Sequence, residues 1–183
     1  YTKYKNIVEG VNTYWLSQPV ESSFSHAHSI FVEGGADNVR YGIDASYNQN
    51  KGVMKESGSD RLGLGFTLIY RIKDKVTIRN YMSYAHTNAY DSPYGSFSDY
   101  TSKLPYDEYQ DEFGNYLKTT YGWNGTSGSE NPLYEATLGN YSRDKSWELI
   151  NNVELLWNIN HYWLLKGQFS ITKSNSEAND FLD

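Results

Sequence analysis

Val39-Arg40-Tyr41-Gly42-Ile43-Asp44-Ala45-Ser46-Tyr47-Asn48 is a run of ten residues with two unlike faces. The odd positions are Val, Tyr, Ile, Ala and Tyr, and the even ones are Arg, Gly, Asp, Ser and Asn. Side chains alternate across a strand, so one side of this segment is wholly apolar and the other wholly polar. Strands of soluble domains usually run to about five or six residues. Strict alternation over about ten is what a tilted strand needs to cross a bilayer within a closed barrel.

Segments on either side read the same way. From Ala27 to Glu33, His28, Ile30 and Val32 oppose Ser29, Phe31 and Glu33, and Gly34 to Asn38 predicts a short turn. After a medium loop, Gln49 to Asp60, the stretch Arg61 to Arg71 sets Leu62, Leu64, Phe66, Leu68 and Tyr70 against Gly63, Gly65 and Thr67. Ile72 to Lys75 predicts a tight turn. Val76 to Thr87 predicts a fourth strand, with Val76, Ile78, Met82 and Tyr84 on one face and Thr77, Arg79 and Ser83 on the other. Alternation returns at Trp147, Leu149, Asn151, Val153, Leu155, Trp157 and Ile159, and Asn160 to Tyr162 turns the chain. Trp163, Leu165, Phe169 and Ile171 then oppose Lys166, Gln168, Ser170 and Thr172.

The expected fold is all-β, an antiparallel up-and-down meander of about six strands. Its connections alternate between short and long, as the periplasmic turns and extracellular loops of outer-membrane barrels do. Tyr70, Trp157, Tyr162 and Trp163 stand beside the short turns, at the depth of an aromatic girdle. Six strands are too few to close a transmembrane barrel, for which about eight is the usual minimum.

Composition agrees. The mean hydropathy of −0.71 is low, but a barrel strand gives lipid only every second residue. Eighteen Tyr, seven Phe and five Trp among 183 residues suit interfacial girdles, and equally suit a soluble, Tyr-rich module that binds glycan. A net charge of −6 without a basic cluster argues against nucleic acid. With no Cys there is no disulfide and no thiolate metal site. The chain opens at Tyr1-Thr2-Lys3, not at Met, and closes at Phe181-Leu182-Asp183, which predicts a piece of a larger protein.

Two regions lack the strand period. Residues 1–24 read as a loop with a short helix at Asn12 to Leu16, capped by Asn12 or Thr13 and ended by Pro19. Asn88 to Asp144 is far longer than an ordinary connection and holds three of the four prolines. Tyr94, Phe97, Tyr100, Tyr121 and Trp123 lie there among Gly, Ser and Asp, and are the candidate ligand-binding residues. Rings on polar loops can stack on a sugar or meet a partner, or can pack the loop on itself. His26 and His28 share a strand face but want a third ligand for zinc. Asp107, Glu108, Asp111 and Glu112 form an acidic knot that reads as a solvated loop; calcium would need a turn to gather six or more oxygens, and a glycosidase pair would need a pocket that nothing in the sequence frames. Neither metal, cofactor nor catalysis is expected. Asn124-Gly125-Thr126 and Asn140-Tyr141-Ser142 are sequons in pattern alone.

The segment Gly10-Val11-Asn12-Thr13-Tyr14-Trp15-Leu16-Ser17-Gln18-Pro19 resembles a stretch of the SusC/RagA-type TonB-dependent transporters of Bacteroidetes, with Tyr14 where the family has Asp. His26 to Gly35 with Arg40-Tyr41-Gly42 is similar to their first barrel hairpin, and Asn50 to Lys55 with Asp60-Arg61 to the loop that follows. Asp91 to Gly95, Asp111 to Tyr116 and Asn131 to Ala136 match in order, so the resemblance spans essentially the whole chain. It implies a 22-stranded barrel, of which this chain is an early section without the N-terminal plug and TonB box. On that reading residues 1–24 and 88–144 are extracellular, 25–87 hold four strands and 145–174 two. The implied function is import of oligosaccharides or peptides across the bacterial outer membrane, embedded in its lipid. The implied partners are a SusD-like lipoprotein and, through the missing part, the TonB complex.

Overall fold

The computed structural model describes residues 1–73, 75–121 and 128–182. Six strands form one antiparallel sheet in sequence order: β1 (His26–Ala36), β2 (Val39–Lys51), β3 (Gly58–Ile72), β4 (Val76–Tyr90), β5 (Tyr141–Asn160) and β6 (Trp163–Phe181). The expected up-and-down meander is the fold observed.

The register puts like with like. Val32, Ile43, Phe66, Met82, Asn151 and Ile171 lie in one row across all six strands. On the opposite face a neighbouring row reads Glu33, Gly42, Thr67, Tyr81, Asn152 and Ser170. Because the side-chain period is two, a slip of one residue would exchange the faces, so the apolar pattern pins the register. Ion pairs brace the polar face: Arg40 Nη2 reaches Glu33 at 2.7 Å, and Glu154 takes both Arg79 and Lys166 at 2.7 Å. Asn80 and Asn151 are polar residues in the middle of the apolar face, and Asn80 Nδ2 donates to Asn151 Oδ1 at 2.7 Å.

Turns are tighter than the sequence suggests. Gly34 and Gly35 belong to β1, and only Asp37 and Asn38 connect it to β2. Gly34 pairs with Tyr41, whose ring covers it; a Cβ there would come within 2.7 Å of the Tyr41 hydroxyl. The glycine is thus a seat for an aromatic ring and not a turn residue. At the β5–β6 turn, Asn160 Oδ1 accepts from the Tyr162 and Trp163 amides at 2.9 and 3.0 Å. An Asx turn of this kind closes a hairpin without glycine.

Strands outrun the apolar pattern. β5 and β6 have 20 and 19 residues, against the about ten that a bilayer needs. On β6 the apolar alternation lapses after Ile171, where Lys173, Asn175, Glu177 and Asn179 continue the same face, and an apolar side chain returns only at Phe181, stacked on Tyr141. On β6 the apolar belt therefore covers only the half nearest the turn. Beyond it Lys173 to Glu177 are polar on both faces and are held by the continuing ladder with β5.

Neither sheet face is a core. Among the described residues the buried hydrophobic side chains are Trp15, Tyr100 and Leu133, none of them in the sheet. Ile43, Phe169 and Ile171 are more than half exposed. A lone sheet with such a face is unsatisfied in water.

Candidate functional site

Meander topology gathers three segments at one end of the sheet: residues 1–25, the β2–β3 connection and the β4–β5 insertion. They form one packed unit. The first helix, α1 (Thr2–Val8), was not evident in the sequence. It buries Lys3 and Asn6, three apart and so on one face. Lys3 Nζ lies 2.8 Å from Asp107 Oδ1 with both side chains at least nine-tenths buried, and Asn6 Nδ2 donates to the Tyr106 carbonyl at 3.0 Å. The short helix expected at 12–16 is a 3₁₀ turn, Trp15–Ser17, entered by Tyr14 at φ 33° with no side-chain cap. Thr13, one of the expected caps, instead sets its hydroxyl between the Pro105 and Asp107 carbonyls at 2.8 and 2.9 Å. The Trp15 indole donates to Asp107 O at 2.9 Å. Asp107 is therefore the hub at which the N-terminal segment joins the insertion.

Around Trp15 the core is aromatic. Tyr109 meets it edge-on at 5.6 Å and Tyr100 tilted at 6.3 Å, with Leu133 completing the cluster. Asn131 is fully buried: its Nδ2 donates to the Tyr109 and Leu117 carbonyls, and its Oδ1 caps α3 (Pro132–Glu135) through the Leu133 amide. Ser96 and Asp99 make a capping box on α2 (Phe97–Thr101). The β2–β3 connection joins through Lys55, whose amide donates to Pro19 O and whose carbonyl accepts from Ser92 Oγ.

This geometry divides the sequence-predicted aromatics. Tyr100 is wholly buried, its hydroxyl donating to Tyr94 O at 2.9 Å; burial pushes its phenol pKa up, and it holds the core with no face for a ligand. Tyr94 packs against that core under the Lys55 ammonium, 5.6 Å from the ring centre. Phe97 and Tyr121 are exposed. Trp123 and the sequon at Asn124 lie outside the described residues. His26 and His28 stand 5.0 Å apart beside Tyr47, at the loop end of the apolar face.

The acidic knot is split. Asp107 turns inward, while Asp111 closes its own turn by accepting from the Phe113 and Asn115 amides at 2.9 and 2.8 Å and from Asn115 Nδ2 at 3.0 Å. That turn lifts Phe113 into solvent at 88% exposure, a candidate contact beyond the five aromatics expected from sequence. The hydrogen bonds from Asn115 hold the Asp111 carboxyl pKa below its ordinary value. A depressed folded pKa stabilises the turn above the ordinary carboxylate pKa, and that support is lost as pH falls through the folded one. Hydrogen exchange at the Asn115 amide, corrected for intrinsic rate, should thus show constant protection from neutral pH to about 4 and a loss below it. In Asp111→Ala protection should be absent at every pH.

A cavity of about 670 Å³ opens between α2, α3 and the far end of the β5–β6 hairpin. Asp99, Glu130, Glu135 and Asp180 line it with Lys103 as the only cation among its lining residues. Lys103 donates to Ser129 Oγ at 2.8 Å and to Glu130 O, and burial draws its ammonium pKa down against the pull of nearby carboxylates. The wider insertion, residues 88–140, has eight carboxylates and two lysines. Its net charge of −6 equals that of the whole chain, the remainder being balanced at fourteen of each sign. The arrangement suits a cationic or hydroxyl-rich ligand.

A polar-faced, apolar-belted meander with its loops gathered at one end is a section of a β-barrel wall. The chain is similar in structure to a chain of the RagAB peptide transporter, with a TM-score of 0.70 and 18% sequence identity. The match covers 91% of this chain and 19% of that one, so this chain spans about a fifth of its length. At that identity the likeness is one of fold. No family model and no curated protein matches the sequence.

Proposed function

We propose that this chain is a wall segment of a SusC/RagA-type, TonB-dependent importer in the bacterial outer membrane. The observation that carries the reading is the apolar belt that crosses all six strands on one face of a sheet whose other face is polar and ion-paired. In this reading the belt meets lipid, the polar face lines the lumen, and the packed unit of residues 1–25, 52–57 and 91–140 lies outside the cell. That unit captures substrate with a SusD-like lipoprotein, while the TonB complex acts through a part of the protein beyond this segment. The work is transport and not catalysis. Substrates are oligosaccharides or peptides. The acidic insertion favours peptides, whose amines carry the complementary charge, and RagAB is itself a peptide transporter.

An epitope inserted at Gly114 tests the sidedness. This glycine caps the exposed Asp111 turn at φ 84° with nothing within 4 Å of a Cβ. On intact cells making the full-length protein, the tag should bind antibody. Binding only after the outer membrane is permeabilised would invert the topology and remove the main support for import.

A further inference from the structure

Two tryptophans bracket the apolar belt. Trp163 begins β6 beside the short turn, and Trp147 on β5 pairs with Asn175, twelve residues further along β6. At about 3.3 Å per residue and a tilt near 40°, that stretch spans roughly 30 Å of depth, the thickness of a bilayer's hydrocarbon. The Trp147 row thus falls at one edge of the lipid and the Trp163 row at the other. Charge on the apolar face is confined to the Trp147 side. Between the Ile43 row and the short turns, no position on that face of any strand is charged. Histidines aside, the charges on the loop side are Lys51, Asp60, Arg143, Lys145, Lys173 and Glu177. Asp60 is occupied, accepting from Tyr47 at 3.2 Å and Gln49 at 3.0 Å. Three of the four cations gather on β5 and β6. Arg143 and Lys145 lie above Trp147, and Arg143 covers the Tyr141 ring at 5.3 Å. Lys173 starts one row below and reaches up, its ammonium 5.8 Å from the centre of the Trp147 ring. All three are exposed, and among the described residues none makes an ion pair, although Glu177 lies opposite Lys145 in register.

We propose that Arg143, Lys145 and Lys173 seat the phosphate-bearing headgroup of an outer-leaflet lipid on the outside of the wall. The inference rests on the barrel reading above. Its warrant is the match of sign and depth. Unpaired cations at headgroup level attract anionic lipid, and a guanidinium meets a phosphate with two parallel N–H bonds. The turn side, with no outward charge at all, offers a second leaflet nothing comparable. A lipid also uses what lies beneath the cations: its chains run down over Leu149 and Ile171 while the phosphate stays above Trp147. A soluble anion could engage only the upper half of that surface. Glu177 repels a phosphate on its own side, so the seat lies toward β4, where His86 is the register neighbour of Trp147.

The test uses the full-length protein. Membrane fractionation comes first: absence from the outer membrane would sink the barrel reading and the seat together. Protein extracted from outer membranes into detergent is then titrated with bis-phosphorylated lipid A and followed by native mass spectrometry. Wild-type protein should hold this lipid at least tenfold more tightly than the same lipid A stripped of its phosphates. Arg143→Gln, Lys145→Gln and Lys173→Gln should each weaken binding about fivefold, and together on the order of a hundredfold. Lys51→Gln, which neutralises the outward cation on β2, should leave it unchanged. Equal affinity for the two forms of lipid A would overturn the seat while the barrel reading stands. So would undiminished binding in the triple variant, or a loss in Lys51→Gln as large as in the others. Because the comparison of the two lipids needs only wild-type protein, the test holds even if the triple variant fails to insert.

Discussion

Ile43→Arg is expected to stop the full-length protein from accumulating in the outer membrane, while Asp44→Asn leaves it at wild-type level. The two residues are neighbours on β2 and face opposite ways. Ile43 lies in the row of Val32, Phe66 and Met82, with half of its surface open. Arg at the midplane of a barrel's lipid face costs about 2–4 kcal/mol. Asp44 lies on the ion-paired face beside Gly65, where an amide of the same shape fits. Quantified outer-membrane fractions read the result. Normal insertion of the Arg variant together with loss of the Asn variant would reverse the face assignment.

The other large effect belongs to the hub. Asp107→Ala should detach residues 2–17 from the insertion without disturbing the strands. Breaking a buried ion pair by removing one partner costs about 3–5 kcal/mol. Here the pair is with Lys3, and the Leu104 amide loses its acceptor as well. Hydrogen exchange should rise across 2–17 and 104–120 and stay unchanged in β2 to β5. The control is Glu9→Ala. Its contact with Lys5 is 3.8 Å long with both side chains more than half exposed, and such pairs contribute little. Wild-type protection around Trp15 in the Asp107 variant would show that the indole and Thr13 contacts suffice without the ion pair.

The strands were legible wherever one face is apolar. Val39 to Asn48 and Arg61 to Arg71 fall within β2 and β3 because each offers five alternate apolar side chains. β6 reads from sequence only to Thr172, since beyond it Lys173, Ser174, Asn175 and Ser176 are polar on both faces, and only pairing with β5 reveals a strand. The same blindness hid the start of β5 at Tyr141, Ser142 and Arg143. α1 escaped notice because its buried residues are Lys3 and Asn6, which no apolar stripe announces; their partners lie about a hundred residues away. Tyr100 misled in the opposite direction. A tyrosine among Gly, Ser and Asp has the composition of a binding loop, and burial is a tertiary fact that composition does not carry.

The far end of β6 sets a length. Nine residues, Lys173 to Phe181, extend the strand beyond its apolar run, and at about 3.3 Å each they amount to roughly 30 Å of strand. One wall of the acidic cavity, Asp180 and Leu182, stands at the tip of that mast. If the chain is the importer wall proposed above, a cargo seated there waits well clear of the belt, and loading and passage are separate events in space: the cavity is then a landing stage, and the doorway lies nearer the root of the hairpin.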